Sequence, residues 1–293
     1  MTNLVHRSPS AVRAVWLIFR EARLVVQIGY ALRFLVGLRF ACSASHANFS
    51  AVRAALAFVA WICVCVAVYA LNGISDETGD RLNRSSRPIA SGALDAGTAW
   101  NVVQSVFVVG ALCAAAVSTW LLVVYAVMAW LGWAYSFGSR PLKNTVPSLV
   151  FSGTVLGGLT YLAGWIGGSG GTPGVVPVVC CTGMALWMGL AGTATKDLGD
   201  VSGDLLGGRR TLPILVGLAR ARLIASVGVL VYAAVFCVVV AVLAPAWLYV
   251  PVLILIGAVV VAGLCLIKPG ETERNAYRAF LLTQHCTNLA MLG

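Results

Sequence analysis

Residues 72–80 read NGISDETGD, and residues 196–204 read KDLGDVSGD. The chain has ten Asp and Glu residues, and six of them lie in these two nonapeptides: Asp76, Glu77, Asp80, Asp197, Asp200 and Asp204. Asn72, Asp76 and Asp80 are spaced four apart, and Lys196, Asp200 and Asp204 repeat that spacing 124 positions later. Arg87-Pro88…Gly92 follows the first set, and Arg210…Pro213…Gly217 follows the second at nearly the same offset. Each set ends an apolar run and opens a basic loop with Gly and Pro. The match predicts an internal pseudo-repeat of about four helices, with a ninth helix added at the end.

The rest of the chain explains why such a concentration of charge is unusual. Of 293 residues, 60% are hydrophobic and only 10% charged, with a mean hydropathy of +0.91. Soluble domains carry roughly 25% charged residues. The composition is that of an all-α integral membrane protein with several spans. The net charge is +10. In a soluble protein that excess would point to nucleic acid. Here the basic residues sit in short loops between apolar runs, so membrane topology and anionic partners account for them instead. The nine Cys show no metal-ligand or redox spacing. Cys63, Cys65, Cys180 and Cys181 lie inside apolar runs and read as small buried hydrophobes.

A spanning helix needs about 20 mostly apolar residues. Nine are expected, near 25–45, 51–71, 98–117, 119–137, 147–166, 175–194, 221–241, 246–267 and 276–292. Arg33 and Arg39 interrupt the first, and Arg278 and His285 the last. Residues 1–24 carry Arg13, Arg20, Glu21 and Arg23 with no uninterrupted apolar stretch. They read as an interfacial amphipathic helix rather than a cleavable signal peptide. Glu21 reads as an interfacial charge paired with Arg20 or Arg23. Residues 25–145 and 146–293 then form the two halves of one membrane domain. Trp120, Trp165 and Trp247 fall at span ends, where amphipathic rings prefer to sit.

The loops sort by charge. HANFS (46–50), ST (118–119), GGSGGTPG (167–174) and LAP (243–245) contain no acid and no Lys or Arg. Under a nine-span count they share one side. The N-terminal segment, the 72–97 and 195–220 loops, GSRPLKNT (138–145) and KPGETER (268–274) share the other. Every acid lies there, with nearly every base. Arg39 and Arg53 are the exceptions. The positive-inside tendency makes the charged side cytoplasmic.

Residues at i, i+4 and i+8 share one helix face. Each motif is therefore expected to stack its Asp side chains in a column near a helix end. Stacked like charges destabilise a helix, and a single Asp at a membrane-helix centre costs about 2.5–3.5 kcal/mol. Either basic partners or a hard divalent cation must offset this. Oxygen ligands without His or Cys favour Mg²⁺, which usually shares its coordination with substrate phosphates. Arg81, Arg84 and Arg87 follow the first motif. Arg140 and Lys143 lie in the loop between, and Lys196, Arg209 and Arg210 flank the second motif. Acids and bases on one face suit a Mg²⁺-diphosphate, and the apolar remainder suits a long apolar tail. Two Mg²⁺ ions on a diphosphate make it a better leaving group. An allylic ester can then ionise to a carbocation, held in a dry pocket against aromatic faces. Tyr69, Trp133, Tyr135, Tyr161 and Trp187 are the aromatic candidates for that wall.

These residues resemble the UbiA superfamily of intramembrane prenyltransferases. NGISDETGDRLNRSSRPIASG is similar to its first signature, Asn-x3-Asp-x3-Asp followed by a basic Arg-Pro…Ser-Gly loop. KDLGDVSGDLLGGRRTLP is similar to its second, and YSFGSRPLKN to its middle Tyr…Lys element. The resemblance implies a nine-helix bundle with its site at the cytoplasmic end, Mg²⁺ and an isoprenyl diphosphate donor. Carried over by position, Asn72, Asp76 and Asp80 would hold one ion. Asp200 and Asp204 would hold the other, with Asp197 assisting. Arg87 and Lys143, joined by Tyr135, Arg140 and Lys196, would bind diphosphate. Gly73 departs from the pattern, since many members carry Asp after the Asn.

Other readings are weaker. Solvated loop charge explains one acidic cluster better than a matched pair. A transporter with inverted repeats would place its polar groups near the midplane, whereas these gather at one face in a parallel repeat. The Asp-Gly…Ala-Arg…Gly…Asp-x3-Asp string of membrane phosphate-alcohol transferases is absent. Within the resemblance two outcomes stand: transfer to a small aromatic acceptor, which is favoured, or cyclisation of the donor with no acceptor, as in a terpene cyclase. A carboxylate on an acceptor would call for a cation such as Arg33, Arg39 or Arg140, although Arg33 and Arg39 also read as paired or snorkelling. His285 reads as a hydrogen-bonded core histidine. The Ala, Val and Arg content suits a GC-rich bacterium, hence a bacterial cytoplasmic membrane.

Overall fold

The computed structural model describes residues 10–44, 49–82, 85–267 and 274–293. Arg84, a candidate diphosphate ligand, lies outside the described residues, as do most of HANFS and KPGETER. The described residues form helices α1 (Ala11–Glu21), α2 (Leu24–Ala44), α3 (Ala51–Ser75), α4 (Glu77–Leu82), α5 (Ala96–Val117), α6 (Thr119–Ser136), α7 (Val146–Gly167), α8 (Val175–Trp187), α9 (Thr193–Asp197), α10 (Val201–Leu206), α11 (Leu212–Val216), α12 (Leu218–Leu243), α13 (Tyr249–Leu266) and α14 (Asn275–Ala290). A π-helical turn, Met188–Gly192, joins α8 to α9.

Eight of the described helices are long and apolar enough to cross a membrane, counting Val175–Asp197 as one. They match the first eight expected spans to within a few residues. The ninth, α14, is shorter, with 16 residues, and more polar. It packs against α13 and α2, so Gln284, Thr287 and Asn288 turn into the protein and are buried. Polar side chains at membrane depth are tolerated in such internal positions. Outward faces are apolar, as at Val108, Leu112, Val238 and Ile256.

Local sequence sets the helix ends. Ser50, Asp95 and Ser118 each accept a backbone N–H three residues on, capping α3, α5 and α6. Helices α2 and α7 approach closely because Gly37 faces Tyr161 O and Gly164 faces Phe34 O, leaving no room for a Cβ at either glycine. At the end of the bundle away from the acidic motifs, Arg53 donates to Val117 O (2.8 Å) and Ile166 O (3.2 Å). This apparent charge exception on the uncharged side is a clasp on two helix C-termini. Trp165 is buried and donates to Gly171 O at 2.9 Å, so it belongs to the protein interior rather than the lipid boundary. All nine Cys are free thiols.

Helix α1 is amphipathic, with Ala14, Leu17 and Ile18 buried and Val12, Trp16 and Phe19 exposed. Glu21 corrects the sequence expectation. It is fully buried and pairs with Arg87 at 2.6 Å, not with Arg20 or Arg23. The chain folds back at Arg23, whose φ is 57°. That turn points the end of α1 into the bundle.

Buried side chains divide into three regions. One joins α2, α3, α5, α6 and α7 around Phe34, Trp61, Leu121 and Met128. Another joins α7, α8, α12, α13 and α14 around Trp187, Phe236, Ile254 and Phe280, and a third joins α1, α3 and α5 around Ile18, Leu71 and Val103. The two motifs end helices four spans apart, α3 in the first half and α9 in the second.

Candidate active site

The expected continuous Asp columns are both broken at the middle Asp, by one residue in the first motif and by three in the second. Helix α3 stops at Ser75, and Asp76 (φ −97°, ψ 4°) starts the turn into α4. Helix α9 stops at Asp197, and Asp200 (φ −117°, ψ 14°) starts α10. Both Asp residues sit in the sparsely populated bridge region, where a side chain is re-aimed without leaving the chain path. Hydrogen bonds keep the four-residue spacing across the first break, whereas at the second Asp200 N donates to Asp197 O, three residues back, at 3.4 Å. Asp76 N donates to Asn72 O (3.0 Å), Asp80 N to Asp76 O (2.8 Å) and Asp204 N to Asp200 O (2.9 Å). The two motifs thus share a helix break at the middle Asp.

Between the halves opens a cavity of about 960 Å³. Its polar lining includes Asn72, Asp76 and Asp80 from the first motif and Lys196, Asp200 and Asp204 from the second. Arg87, Tyr135 and Lys143 line it too. Eight basic side chains line the cavity against four acidic ones: Arg20, Arg23, Arg33, Arg87, Lys143, Lys196, Arg209 and Arg274 against Asp76, Asp80, Asp200 and Asp204. That excess of positive charge suits an anion bound together with cations. The apolar and aromatic part of the lining is Tyr30, Val68, Tyr69, Leu156, Met188, Tyr277, Phe280 and Leu281.

The acids are held by a chain of ion pairs. Asp76 Oδ1 accepts from Lys143 Nζ and Arg209 Nη2, both at 2.7 Å, and Oδ2 accepts from Asn72 Nδ2 at 3.1 Å. Arg209 Nη1 donates to Asp204 Oδ1 at 3.0 Å. Arg87 joins Asp80 (2.8 Å) to Glu21 (2.6 Å). Arg274 lies 3.7 Å from Asp200. Burial alone would raise the Asp76 carboxyl, but Lys143 and Arg209 outweigh it and hold it below the usual aspartate value. Burial raises Asp204, with Arg209 opposing. Burial also lowers the Lys143 ammonium, against the pull of Asp76.

Several candidates need correction. Arg140 is exposed and does not line the cavity. Gly138, at φ 99°, turns the chain so that Arg140 points out, while the 3₁₀ turn Leu142–Asn144 buries Lys143. Asp197 is buried at the end of α9 and lies behind the lining rather than in it. Of the aromatic candidates, Tyr69 and Tyr135 line the cavity and Trp133, Tyr161 and Trp187 do not. Trp187 stacks inside the core on Tyr232 and Phe280. Three residues gain weight. Arg209 bridges the motifs; its place after the second motif was the only signal for it. Glu21 reaches the site from α1, where sequence distance concealed it. Tyr277 enters from α14.

The donor set fits Mg²⁺. It offers oxygen ligands from Asn72, Asp76, Asp80, Asp200 and Asp204, without His or Cys. Among the described residues no three acidic, His or Cys side chains converge as a ready metal cage. An ion that shares coordination with phosphate oxygens and keeps waters needs no such cage.

The UbiA prenyltransferase family profile matches residues 32–284. The chain belongs to the UbiA prenyltransferase family. One relative is the digeranylgeranylglyceryl phosphate synthase of Thermococcus kodakarensis, 26% identical over 244 residues, or 82% of this chain and 83% of that protein. The synthase of the same name from Thermococcus gammatolerans is 32% identical over 171 residues, and this chain spans only about half of it, 56%. Among solved structures, a UbiA homologue from Archaeoglobus fulgidus bound to GPP and Mg²⁺ superposes with a TM-score of 0.68 at 18% identity, over 94% of this chain and 99% of that one. That likeness extends the family assignment to the fold of nearly the whole chain.

Proposed function

We propose that this UbiA-family protein transfers an isoprenyl group from an isoprenyl diphosphate to a nucleophilic acceptor, dependent on Mg²⁺. One observation carries the reading. Two acidic motifs from opposite halves and a surplus of basic side chains line one cavity together with apolar and aromatic side chains. The charged lining suits a diphosphate and the apolar lining an isoprenyl tail. Asn72, Asp76 and Asp80 would hold one ion, and Asp200 and Asp204 the other. Mg²⁺ stabilises the departing diphosphate. Lys143, Arg87, Lys196 and Arg209 are placed to take the remaining phosphate oxygens. Tyr69, Tyr30, Tyr277 and Phe280 would face the allylic carbon and exclude water. The C–O bond breaks with its electron pair on the diphosphate. The acceptor bonds to the carbon and loses a proton.

The active-site loops are assigned to the cytoplasmic side from their charge. The relatives named above are archaeal and lend no support to a bacterial membrane. Their names also point to a glyceryl phosphate rather than an aromatic ring. The test uses the purified protein in detergent with labelled geranylgeranyl, farnesyl or geranyl diphosphate. Diphosphate release should require Mg²⁺ and vanish in Asp76→Ala and Asp200→Ala. Absence of release from every donor, across an acceptor panel, would reject the proposal.

A further inference from the structure

We propose that α1 is a lipid-dependent lever on Arg87. Its outward face docks on the anionic phospholipid surface of the leaflet on the side of the acidic motifs, and its last residue, Glu21, holds the Arg87 guanidinium at the cavity. This rests on the Mg²⁺-diphosphate reading above.

The outward face of α1 carries Val12, Arg13, Val15, Trp16, Phe19 and Arg20, all exposed. Arg20 Cζ lies 4.8 Å from the centre of the Trp16 ring. The only acid between residues 10 and 23 is Glu21, and it is buried. The face is therefore basic and apolar at once, with no negative charge to oppose an anionic surface. Basic side chains take lipid phosphates while Trp and Phe enter the boundary between headgroups and acyl chains. The exposed apolar residues continue at Leu24, Val25 and Ile28, where the first span begins.

The inner face connects that surface to the site. Ala14, Leu17 and Ile18 pack with Ile89 and Leu94, which lie in the same loop as Arg87, and with α3 and α5. Arg87 is buried, and Glu21 holds it twice: Arg87 Nε lies 2.6 Å from Glu21 Oε1, and Nη2 donates to Glu21 O at 3.3 Å. Arg87 Nη2 also donates to Tyr69 O at 3.2 Å, and Nη1 to Asp80 Oδ2 at 2.8 Å. A shift of α1 must therefore shift a guanidinium that holds a motif acid. A free helix of the length of α1, 11 residues, is marginal in water, so its position depends on what covers its two faces. It joins α2 through Arg23 at φ 57°, a conformation rare outside glycine. Lipid that contacts only the docked position of α1 favours that position, and with it the arrangement of Arg87 and Asp80 that receives metal and diphosphate.

The test uses the full chain in lipid discs of phosphatidylcholine, with or without phosphatidylglycerol. Binding of labelled pyrophosphate is titrated with Mg²⁺. The Mg²⁺ needed for half-maximal binding should fall about 5- to 10-fold in the anionic discs. Anionic lipid also gathers Mg²⁺ at its surface, so a variant in the same discs decides the cause. The triple variant Arg13→Gln, Trp16→Ser, Phe19→Ser changes only exposed residues outside the cavity lining. It should lose most of the lipid effect. An equal Mg²⁺ requirement in the two discs, or an undiminished lipid effect in the variant, overturns the lever. If the triple variant does not fold, Arg13→Glu alone should raise the Mg²⁺ requirement in anionic discs, and an unchanged value refutes the proposal. A photoreactive phosphatidylglycerol should label α1 in the wild type. No label there, or cross-linking of α1 to a second copy of the chain instead, overturns the docking. Pyrophosphate that binds without regard to lipid charge rejects the lever alone, whereas pyrophosphate that binds in no disc rejects the diphosphate reading and the lever with it.

Discussion

Asp76 and Asp204, from the two halves of the chain, share one guanidinium. Arg209 Nη2 reaches Asp76 Oδ1 at 2.7 Å and Nη1 reaches Asp204 Oδ1 at 3.0 Å. Arg209 thereby occupies a bridging position between the motifs that a divalent cation would also favour. Arg209→Met should lower stability in EDTA by about 1.5–3 kcal/mol, because it exposes two acids to each other. Millimolar Mg²⁺ should then raise its melting temperature more than it raises that of the wild type. An equal Mg²⁺ response in both proteins would contradict the bridge.

Glu21 acts at one remove. It holds Arg87, which holds Asp80, and its Oε2 also accepts the Ile89 N–H at 3.0 Å. Glu21→Gln should weaken the Mg²⁺ dependence of diphosphate release about 10- to 100-fold while sparing the maximal rate at saturating Mg²⁺, as for a group that orients a metal ligand. A fall in maximal rate alone, with Mg²⁺ affinity intact, would rule out the positioning role. Glu21→Asp should recover part of the affinity.

Much of this was legible in the sequence, and the failures share a cause. Eight apolar spans and the two motifs followed from hydropathy and spacing, and Lys143 was singled out by the family resemblance. The exposure of Arg140 is not legible in the sequence, because spacing carries no trace of the positive φ at Gly138. Glu21 was misjudged because burial is set by packing between distant segments. Its charge reads as interfacial until Arg87 is seen against it. Asp197 sits in the motif register, yet the helix ends there and its side chain stays behind the cavity wall.

Gly73 and Glu21 compete for one space. A Cβ built on Gly73 would overlap Glu21 Oε1. Gly73→Asp alone should therefore destabilise the protein by roughly 1–3 kcal/mol through overpacking. Glu21→Ala with Gly73→Asp should be more stable than either single change, since one carboxylate beside Arg87 replaces the other. A double-mutant cycle on melting temperature reads this directly, and simple additivity would refute the exchange.

The depressed Asp76 carboxyl sets a pH dependence. Its folded value lies below the ordinary 3.8, so its ionised form contributes stability at neutral pH. That contribution is complete above the unfolded value and is lost as pH falls through the folded one. The melting-temperature gap between wild type and Asp76→Asn should stay flat from pH 7 to about 5 and close only below about pH 4. A gap that closes near pH 6 would mean that the Lys143 and Arg209 pairs do not govern the group.

Lys143 and Arg140 share a loop and not a role. Lys143→Met should reduce diphosphate release about 100-fold or more, as for removal of one preorganised donor to a developing anion. Arg140→Ala should leave release unchanged and stability within about 0.5 kcal/mol. Equal losses would place the loop differently from its geometry.

The π turn at Met188–Gly192 is a phase adjuster between a rod and its tool. One extra residue in a helical turn rotates everything beyond it by about 100°. Here it sets which of two neighbours, Lys196 or Asp197, looks into the cavity. Deleting a single residue in that turn would leave α8, the part of the span before it, in place. It would swing the second acidic motif off its partner, so a change in count, with no change in any ligand, is enough to dismantle the site.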